Sequence, residues 1–488
     1  MQAVAEEIAE RIRGSGFVKI VTHIDTDGIT GGAIASECLA RAGIEHEIAF
    51  VKKLDESVLT GVKREGRPLT WFVDLGAGAL HLLHGVDAVI TDHHVPTERE
   101  VPKALRGDLL RFAESQDRVL MLNPHLESEG SDVASGAGCS YAVAKALDPK
   151  NGDLAAIAIV GAVGDVQDQE FRRLAGYNRA ILRDGIEAGV LSADIDLRLF
   201  GRETRPVHKL LQYASDPWIP RLSGNDEACV AFLLELGIDL KVEDHWRSWA
   251  DLDRGERRRI MSALVSHMLE RGCGSKEVER LVGETYTLVR EPAGSPTRDA
   301  KEFGTLINAC GRYDAPDVGY RVCRGDRDED LARALKLLRG HREYLVESME
   351  AIGKAGIHEM EAIQYFHAGD QIRDTVVGIA ASLALTQNEA TKNLPIIAFA
   401  NAPDGIKVSG RATRELVAQG LDLAAIMQAA SKAVGGQGGG HHGAAGATIP
   451  PGTEATFLEI ANRMVHEQLE RTSRSCGRDS TPGKSTTA

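Results

Sequence analysis

The sequence predicts an α/β protein with an N-terminal parallel-sheet domain, a mostly helical middle region and a smaller C-terminal α/β domain. Three observations lead to this prediction. Short, β-branched apolar runs alternate with helical stretches in residues 1–165, charged helical stretches dominate residues 200–350, and strand-like runs return after residue 362. Strands separated by helices are typical of parallel sheets that are covered on both faces.

The N-terminal domain is predicted over residues 1–200, with a first strand at 17–23 and a following helix at 31–42. The run LAAIAIVGAV at 154–163 could be a strand or a buried helix, and its length and alanines favour a helix. The remaining strands of the sheet are predicted at 47–51, 69–74, 87–91 and 119–122.

The middle region is predicted over residues 201–350 as a mostly helical connector that contains an inserted module near 220–300. Helices are expected at 246–259 and 328–350, and a strand is expected at 285–290. Turn-forming residues cluster at 221–226 and 290–296, so we expect boundaries there.

The C-terminal domain is predicted over residues 351–470, with strands at 362–366 and 395–400. Pro403, Asp404 and Gly405 form a turn signal, so residues 395–413 are expected to form a hairpin. A helix at 422–434 is expected to run into a glycine-rich loop. Residues 471–488 have no apolar periodicity and are predicted to be a disordered tail.

The composition argues against several classes of protein. The longest apolar run is far shorter than the roughly 20 residues that a membrane span needs, and acidic residues near the N-terminus argue against a signal peptide. The seven cysteines form no CxxC pair, so reduced thiols and a cytoplasmic location are expected. The net charge is −14, so the sequence lacks the strongly basic composition that is typical of proteins that bind duplex nucleic acid. This charge does not exclude a nucleic-acid enzyme, because a carboxylate-rich metal site would add negative charge that its cations offset.

Aspartate and histidine residues follow three predicted strands, at the point where each strand ends. They are His23, Asp25 and Asp27, then Asp74, and then Asp92, His93 and His94. Because the carboxyl ends of parallel strands share one edge of a sheet, we expect these side chains to lie close together. So many carboxylates would repel one another and take up protons unless a cation balanced them. Oxygen and imidazole ligands without thiolates suit Mn²⁺, Mg²⁺ or a similar ion.

A second chemical signal is the glycine-rich segment 435–446, which contains the adjacent residues His441 and His442. Backbone without side chains can approach a phosphate closely and direct several N–H groups at it. The segment therefore predicts a phosphate-binding element in the C-terminal domain.

The motifs THIDTDG, FVDLG, TDHH and GDVQD (164–168) resemble, in this order, the four motifs of the DHH phosphoesterase superfamily. The run GGGHHGAAG resembles the glycine loop of the DHH-associated substrate-binding domain, and VSGR at 408–411 resembles that domain's second phosphate-contacting motif. The segment EFGTLINACGR at 302–312 resembles one that separates RecJ-type nucleases from members with smaller substrates. The segment FGRETRP at 200–206, which contains Arg202 and Arg205, resembles a segment of archaeal RecJ-like relatives.

The resemblance implies a site for two divalent cations, with Mn²⁺ preferred and Mg²⁺ as the alternative. One cation would be held by His23, Asp25 and Asp74. The other would be held by Asp27, Asp74, His93 and Asp165, with Asp74 bridging. The catalytic residues would be His94, which would face the substrate phosphate, and Asp92, which would orient the histidine pair. The substrate-binding residues would be Arg312, Ser409, Arg411, Gly439, Gly440 and His441.

The activity implied by the resemblance is that of a single-strand-specific exonuclease of the archaeal RecJ-like, GINS-associated type, which releases nucleoside monophosphates in DNA replication or repair. Its partners would be single-stranded DNA or RNA and, by analogy, the GINS replisome complex. Two alternatives stay open. One is an oligoribonuclease or cyclic-dinucleotide phosphodiesterase, and the other is a replisome scaffold without catalytic activity.

Overall fold

The computed structural model describes residues 1–96, 119–126, 133–387 and 393–476, and the chain divides into two compact units, Met1–Leu338 and Arg339–Ala488. No helix in these described ranges is both long enough and apolar enough to cross a membrane.

The first unit is built on a five-stranded sheet in which every neighbouring pair of strands is parallel. The strand order is β2-β1-β3-β4-β5, so the carboxyl ends of all five strands lie at one edge. This arrangement confirms the predicted parallel-sheet domain. The strands are β1 Phe17–His23, β2 Glu45–Val51, β3 Thr70–Val73, β4 Ala88–Thr91 and β5 Val119–Leu122.

Six α-helices of this unit precede the middle region in the described ranges. They are α1 Gln2–Arg13, α2 Thr26–Arg41, α3 Glu56–Glu65, α4 Gly136–Leu147, α5 Ala155–Gly164 and α6 Asn178–Glu187. Helix α2 packs against α4 and α5, and their buried side chains include Ile34, Tyr141 and Ile159. The ambiguous run at 154–163 is therefore a helix, as predicted. Helix α2 begins earlier than its predicted start at residue 31, because the Asp25 side chain caps its first turn.

The middle region contains a module with its own hydrophobic core, which is bounded by Leu197 and Leu281. The module, which we call the inserted module (residues 198–281), lies in sequence between two antiparallel partners, β6 Leu191–Leu197 and β9 Val282–Leu288. The sequence placed it near 220–300. Its described elements are α7 Val207–Gln212, α8 Asp226–Glu235, β7 Lys241–Val242, β8 His245–Trp246, α9 Arg254–Glu270 and α10 Ser275–Glu279.

One prediction in this region needs correction, and one strand was missed. The helix expected at 246–259 begins at Arg254, because Asp253 and Glu256 form a capping box there, and a short strand precedes it. Strand β6 was not predicted, although its segment LSADIDL alternates apolar and polar residues. Three helices follow β9, namely α11 Ala300–Arg312, α12 Pro316–Cys323 and α13 Glu329–Ala355.

The second unit contains a six-stranded sheet in the order β10-β11-β12-β13-β15-β14. Strands β11 and β12 are parallel, and the other neighbouring pairs are antiparallel. The strands are β10 His358–Glu359, β11 Gln364–Gly369, β12 Ile396–Ala402, β13 Gly405–Arg411, β14 Gln437–Gly440 and β15 Ala444–Ile449. The helices are α14 Val377–Gln387, α15 Arg414–Ala418, α16 Leu423–Ala433 and α17 Glu454–Cys476.

The hairpin predicted at 395–413 is the antiparallel pair β12–β13. The glycine-rich segment was predicted to be a loop, and this prediction is wrong. The segment forms the hairpin β14–β15, which we call the glycine hairpin. Strand β15 pairs with β13 as well, so its backbone groups are paired on both sides, whereas β14 lies at the edge of the sheet. Helix α17 extends six residues, 471–476, into the segment predicted to be a tail, and residues 477–488 lie outside the described residues.

Candidate metal centre and phosphate-binding surface

The edge formed by the strand carboxyl ends brings the predicted metal ligands together. His23 ends β1, and Asp25 caps α2 by accepting a hydrogen bond of 2.9 Å from the Gly28 amide. Asp74 follows β3, and Asp165 caps the carboxyl end of α5. The remaining predicted ligands, Asp27 in the first turn of α2 and His93 after β4, are buried.

Asp74 lies at the centre of this cluster. Its Oδ2 is 3.4 Å from His23 Nδ1, and its Oδ1 is 3.4 Å from His93 Nε2. The same His93 nitrogen is 3.7 Å from Asp27 Oδ2 and 3.6 Å from Asp165 Oδ2. Three groups have all their potential ligand atoms within 4.8 Å of one another: His23, Asp25 and Asp74; Asp27, His93 and Asp165; and Asp74, His93 and His94.

The Asp74 carboxylate is buried, yet neither of its oxygens accepts a hydrogen bond from any residue that the structure describes. Its backbone adopts the left-handed region (φ 57°), and a Cβ on Gly136 would lie 2.7 Å from the Asp74 Cβ. The chain therefore holds this side chain in a crowded and conformationally costly position. A buried carboxylate with unused lone pairs is expected to bind a cation, and the surrounding oxygen and imidazole donors fit a divalent ion such as Mn²⁺ or Mg²⁺.

The electrostatics of the cluster support the same conclusion. Burial and the neighbouring Asp74 raise the pKa of Asp27 well above its ordinary value, and burial raises the pKa of Asp165 to about 6. Burial opposes protonation of His23, but Asp25 and Asp74 together raise its pKa well above the ordinary value. Carboxylates and imidazoles with such shifts hold protons when no other cation compensates the negative charge.

Backbone amides and a buried amide side chain hold two of these ligands. Asp27 accepts hydrogen bonds from the amides of Gly136 (2.5 Å) and Ala137 (3.0 Å) at the start of α4. Gln167 Nε2 donates to Asp165 Oδ2 at 3.0 Å and lies 3.4 Å from His93 Nδ1. Sequence reasoning missed both features, although Gln167 lies inside the GDVQD motif that indicated Asp165.

Asp92 and His94 form a directly hydrogen-bonded pair. Asp92 Oδ1 is 2.8 Å from His94 Nδ1 and also accepts hydrogen bonds from the amides of His93 and His94, while Oδ2 accepts one from the Ala77 amide. Burial would raise the pKa of Asp92, but the contact with His94 lowers it to about 2. The His94 side chain is 46% exposed, so its ring remains accessible from solvent.

Arg312 lies near the first motif because α11 approaches that motif closely. A Cβ on Gly311 would lie 1.8 Å from the Ile24 carbonyl oxygen, so only glycine permits this contact. Burial lowers the pKa of Arg312, and the charge of Asp25 raises it, which places the guanidinium within the electrostatic field of a predicted metal ligand. The sequence resemblance indicated Arg312 but not the role of Gly311.

The predicted phosphate-binding residues of the second unit lie on three adjacent strands. Ser409 pairs with Gly446 across β13–β15, and Gly446 pairs with Gly439 across β15–β14. Gly440 pairs next to them, and His441 is exposed at the turn that follows. A Cβ on Gly439 would meet nothing within 4 Å, so open space adjoins the backbone at this point.

Arg411 lies two residues beyond Ser409 on β13 and reaches helix α14. Its Nε donates to Ser382 Oγ at 3.1 Å, and its Nη2 would lie 2.4 Å from a Cβ on Gly378. The same added Cβ would lie 3.3 Å from Ser409 Oγ, so Ser409 and Arg411 share one face of the sheet. A guanidinium, a hydroxyl and a glycine backbone are suitable partners for a phosphate.

Two family models match the chain. Residues 199–282 match the DHH-CID domain and residues 361–467 match the DHHA1 domain. The first match covers the inserted module, and the second covers most of the six-stranded sheet domain.

Relatives with known sequences agree with these matches. The chain is 27% identical over 480 residues to an uncharacterized protein of Methanocaldococcus jannaschii, with 96% of this chain and 98% of the relative covered. It is 26% identical over 229 residues to the single-stranded-DNA-specific exonuclease RecJ of Thermus thermophilus, with 44% of this chain and 31% of RecJ covered.

Solved structures share the fold. RecJ of T. thermophilus in complex with Mn²⁺ superposes with a TM-score of 0.57 at 16% identity, and the match covers 96% of this chain but 54% of RecJ. The CDC45 structure from Entamoeba histolytica gives a TM-score of 0.62 at 12% identity, with 95% of this chain and 99% of CDC45 covered.

The chain therefore contains a DHH-CID domain and a DHHA1 domain, and it shares its fold with RecJ. In sequence the chain is similar to RecJ over 229 residues, and it is RecJ-like in this sense.

Proposed function

We propose that this protein is a divalent-metal-dependent exonuclease that releases nucleoside monophosphates from single-stranded DNA or RNA. The proposal rests on the buried Asp74 carboxylate, whose oxygens accept no hydrogen bond from the described residues and lie 3.4 Å from ring nitrogens of His23 and His93. The sequence similarity to a single-stranded-DNA-specific exonuclease supports a nucleic-acid substrate.

Two ligand groups that share Asp74 would hold two cations. His23, Asp25 and Asp74 would bind one, and the second would be bound by Asp27, Asp74, His93 and Asp165. When bound, Mn²⁺ or Mg²⁺ would supply Lewis-acid polarisation of the scissile phosphate and activation of the attacking water. The amides of Gly136 and Ala137 would keep Asp27 in its binding orientation.

His94 is the proposed catalytic residue, and Asp92 is the residue proposed to position it. Because Asp92 engages Nδ1 of His94, the opposite ring nitrogen Nε2 is the atom that would contact a phosphate oxygen or donate a proton to the leaving group. Asp92 would fix the orientation of this ring and would not contact the substrate.

The remaining assigned residues would bind the nucleic-acid strand. They are Arg312 near the cluster and Ser409, Arg411, Gly439, Gly440 and His441 on the sheet of the second unit. Arginine would contact phosphate oxygens through paired N–H groups, and the glycine backbone would approach the strand closely. A role in DNA replication or repair, a cytoplasmic location and binding to the GINS complex belong to this proposal as predictions.

The direct test uses single strands of DNA and RNA that carry a label at the 5′ or the 3′ end, each incubated with Mn²⁺. We expect mononucleotide release from one end of a long strand, inhibition by EDTA and little hydrolysis of a blunt duplex. Hydrolysis confined to dinucleotides or cyclic dinucleotides would contradict the exonuclease proposal and favour a hydrolase of small substrates.

A second candidate is a scaffold role without hydrolysis, which the structural similarity to CDC45 favours. The clustered ligand set around Asp74 argues for catalysis, because buried carboxylates without a cation only destabilise a fold. The absence of hydrolysis of every substrate above, in a preparation that binds Mn²⁺, would favour the scaffold.

A further inference from the structure

A cavity of about 600 Å³ lies between strands β6 and β9 and the inserted module. Its walls contain four arginines and three carboxylates, which gives a formal charge of +1. We call it the arginine cavity and define it by Arg202, Arg254, Arg257 and Arg298. Arg202 belongs to the FGRETRP segment, for which the proposed nuclease mechanism has no role.

The ion pairs inside the arginine cavity are long. Arg202 lies 3.6 Å from Asp196 and 3.8 Å from Asp299, and Arg298 lies 3.7 Å from Glu203. Elsewhere in the inserted module, Arg247 forms a two-point pair with Glu256 at 2.8 and 2.6 Å. Arg257 and Arg298 also donate hydrogen bonds to backbone carbonyls of the protein. The capacity for an anionic partner therefore lies chiefly with Arg202 and Arg254.

Arg202 shows this capacity most clearly. Its side chain is 8% exposed, and its Nε and Nη1 donate no hydrogen bond to any residue in the described part of the chain. Asp196 does not satisfy it, because its oxygen lies 3.6 Å from Arg202 Nη2, beyond hydrogen-bond distance. That carboxylate accepts hydrogen bonds from the Leu197 amide (2.8 Å), from Trp249 Nε1 (3.1 Å) and from Arg257 Nη1 (3.4 Å) instead. Two buried guanidinium nitrogens without hydrogen-bond partners are costly, so an additional partner is expected.

We propose that the arginine cavity binds a small phosphorylated ligand of nucleotide size. A planar guanidinium matches the geometry of phosphate oxygens, and cavities of roughly 300–1,000 Å³ accommodate small ligands. The carboxylates of Asp194 and Glu203 lie in the same wall and can accept hydrogen bonds from ligand hydroxyl groups, as on a ribose. This site shares no residue with the Asp74 cluster.

The test is calorimetric titration of the full chain with AMP, inorganic phosphate and adenosine in the presence of EDTA. We expect AMP to bind, phosphate to bind more weakly and adenosine not to bind. Arg254 is an exposed residue at the cavity wall, and the Arg254→Gln variant should bind AMP at least tenfold more weakly. Arg258→Gln is the matched control, because Arg258 is exposed on the same helix and does not line the cavity.

Arg202→Gln should abolish AMP binding, but this buried replacement could also affect folding. Ala293→Trp therefore provides an independent variant, since it fills the cavity at an exposed position without a change of charge. Equal AMP affinity in the Arg254→Gln and Arg258→Gln proteins, or unchanged binding in the Ala293→Trp protein, would overturn the proposal. Loss of AMP binding in an Asp74→Asn protein would also overturn it, because the ligand would then lie at the metal centre.

This proposal and the exonuclease proposal can fail separately. AMP binding is measured without divalent metal, whereas strand hydrolysis is measured with Mn²⁺. We expect Arg254→Gln to retain strand hydrolysis, because Arg254 has no place in the proposed catalytic or strand-binding residues.

Discussion

The Asp74 cluster and the glycine hairpin are both assigned to phosphate chemistry, but they present opposite kinds of surface. The cluster packs four carboxylates and two histidines into a largely buried space, and Gly136 leaves no room for a side chain against Asp74. The glycine hairpin presents backbone beside open space at Gly439. Concentrated charge needs a cation to be stable, whereas a neutral backbone needs only pairing within its sheet. The two regions should therefore respond differently to mutation.

The largest difference is expected at Asp74. Asp74→Ala should abolish hydrolysis in Mn²⁺, because it removes the carboxylate that both proposed cation sites share. Asp74→Asn is the better control for folding, since asparagine tolerates the left-handed backbone at this position. Strand hydrolysis and thermal unfolding are measured in parallel.

We expect both Asp74 variants to remain folded, because removal of a buried charge without hydrogen-bond donors relieves repulsion. Activity within tenfold of the wild-type value in either variant would contradict the assignment of the metal centre.

A smaller loss is expected at the second unit. Arg411→Ala and His441→Ala each remove one contact to phosphate, worth on the order of 1–3 kcal/mol. At roughly 1.4 kcal/mol per factor of ten, oligonucleotide hydrolysis should fall about tenfold to a hundredfold. Hydrolysis of a small chromogenic phosphodiester and the content of bound metal should change little.

Arg463→Ala, an exposed arginine on α17 of the same unit, serves as the control and should leave both substrates unaffected. Equal losses on the oligonucleotide and the chromogenic substrate would show that Arg411 and His441 do not act through strand binding.

Neighbouring glycines of the hairpin allow a sharper test. A Cβ on Gly438 would lie 2.6 Å from the Met427 carbonyl oxygen, whereas one on Gly439 would meet nothing within 4 Å. Gly438→Ala should therefore lower the free energy of unfolding by about 1–3 kcal/mol through overpacking. Gly439→Ala should leave stability unchanged and raise KM for oligonucleotides by about threefold to tenfold, if each lost contact costs roughly 1 kcal/mol. Stability is measured by urea unfolding, and the reverse pattern would mean that the open face is not the strand-binding face.

The smallest expected effect concerns salt. If Arg312 and Arg411 each neutralise one phosphate, replacement of either by glutamine should reduce the slope of log affinity against log salt by about 0.7. The measurement is fluorescence anisotropy of a labelled single strand between low and high salt. A slope that is unchanged in both variants would remove these two arginines from the strand-binding surface.

Local patterns in the sequence were sufficient to predict the class of fold and most of the candidate metal ligands. Strand β1 and helix α5 are local apolar patterns, and His23, Asp74 and His93 each lie at or just after a strand that the pattern predicts. Once the strands are parallel, their carboxyl ends must meet at one edge, so a few local patterns were sufficient to bring together residues far apart in the chain.

The way in which these residues are held depends on tertiary contacts that could not be predicted from local patterns. The amides of Gly136 and Ala137 reach Asp27 from a distant helix, Gly311 contacts the Ile24 carbonyl, and the glycine segment becomes two strands because β13 pairs with β15. Each feature depends on a partner that no local pattern specifies. A glycine has no side chain that could contribute to an apolar or polar pattern, and a backbone amide is the same in every residue except proline. The roles of these groups can therefore be recognised only from the tertiary contacts that they make.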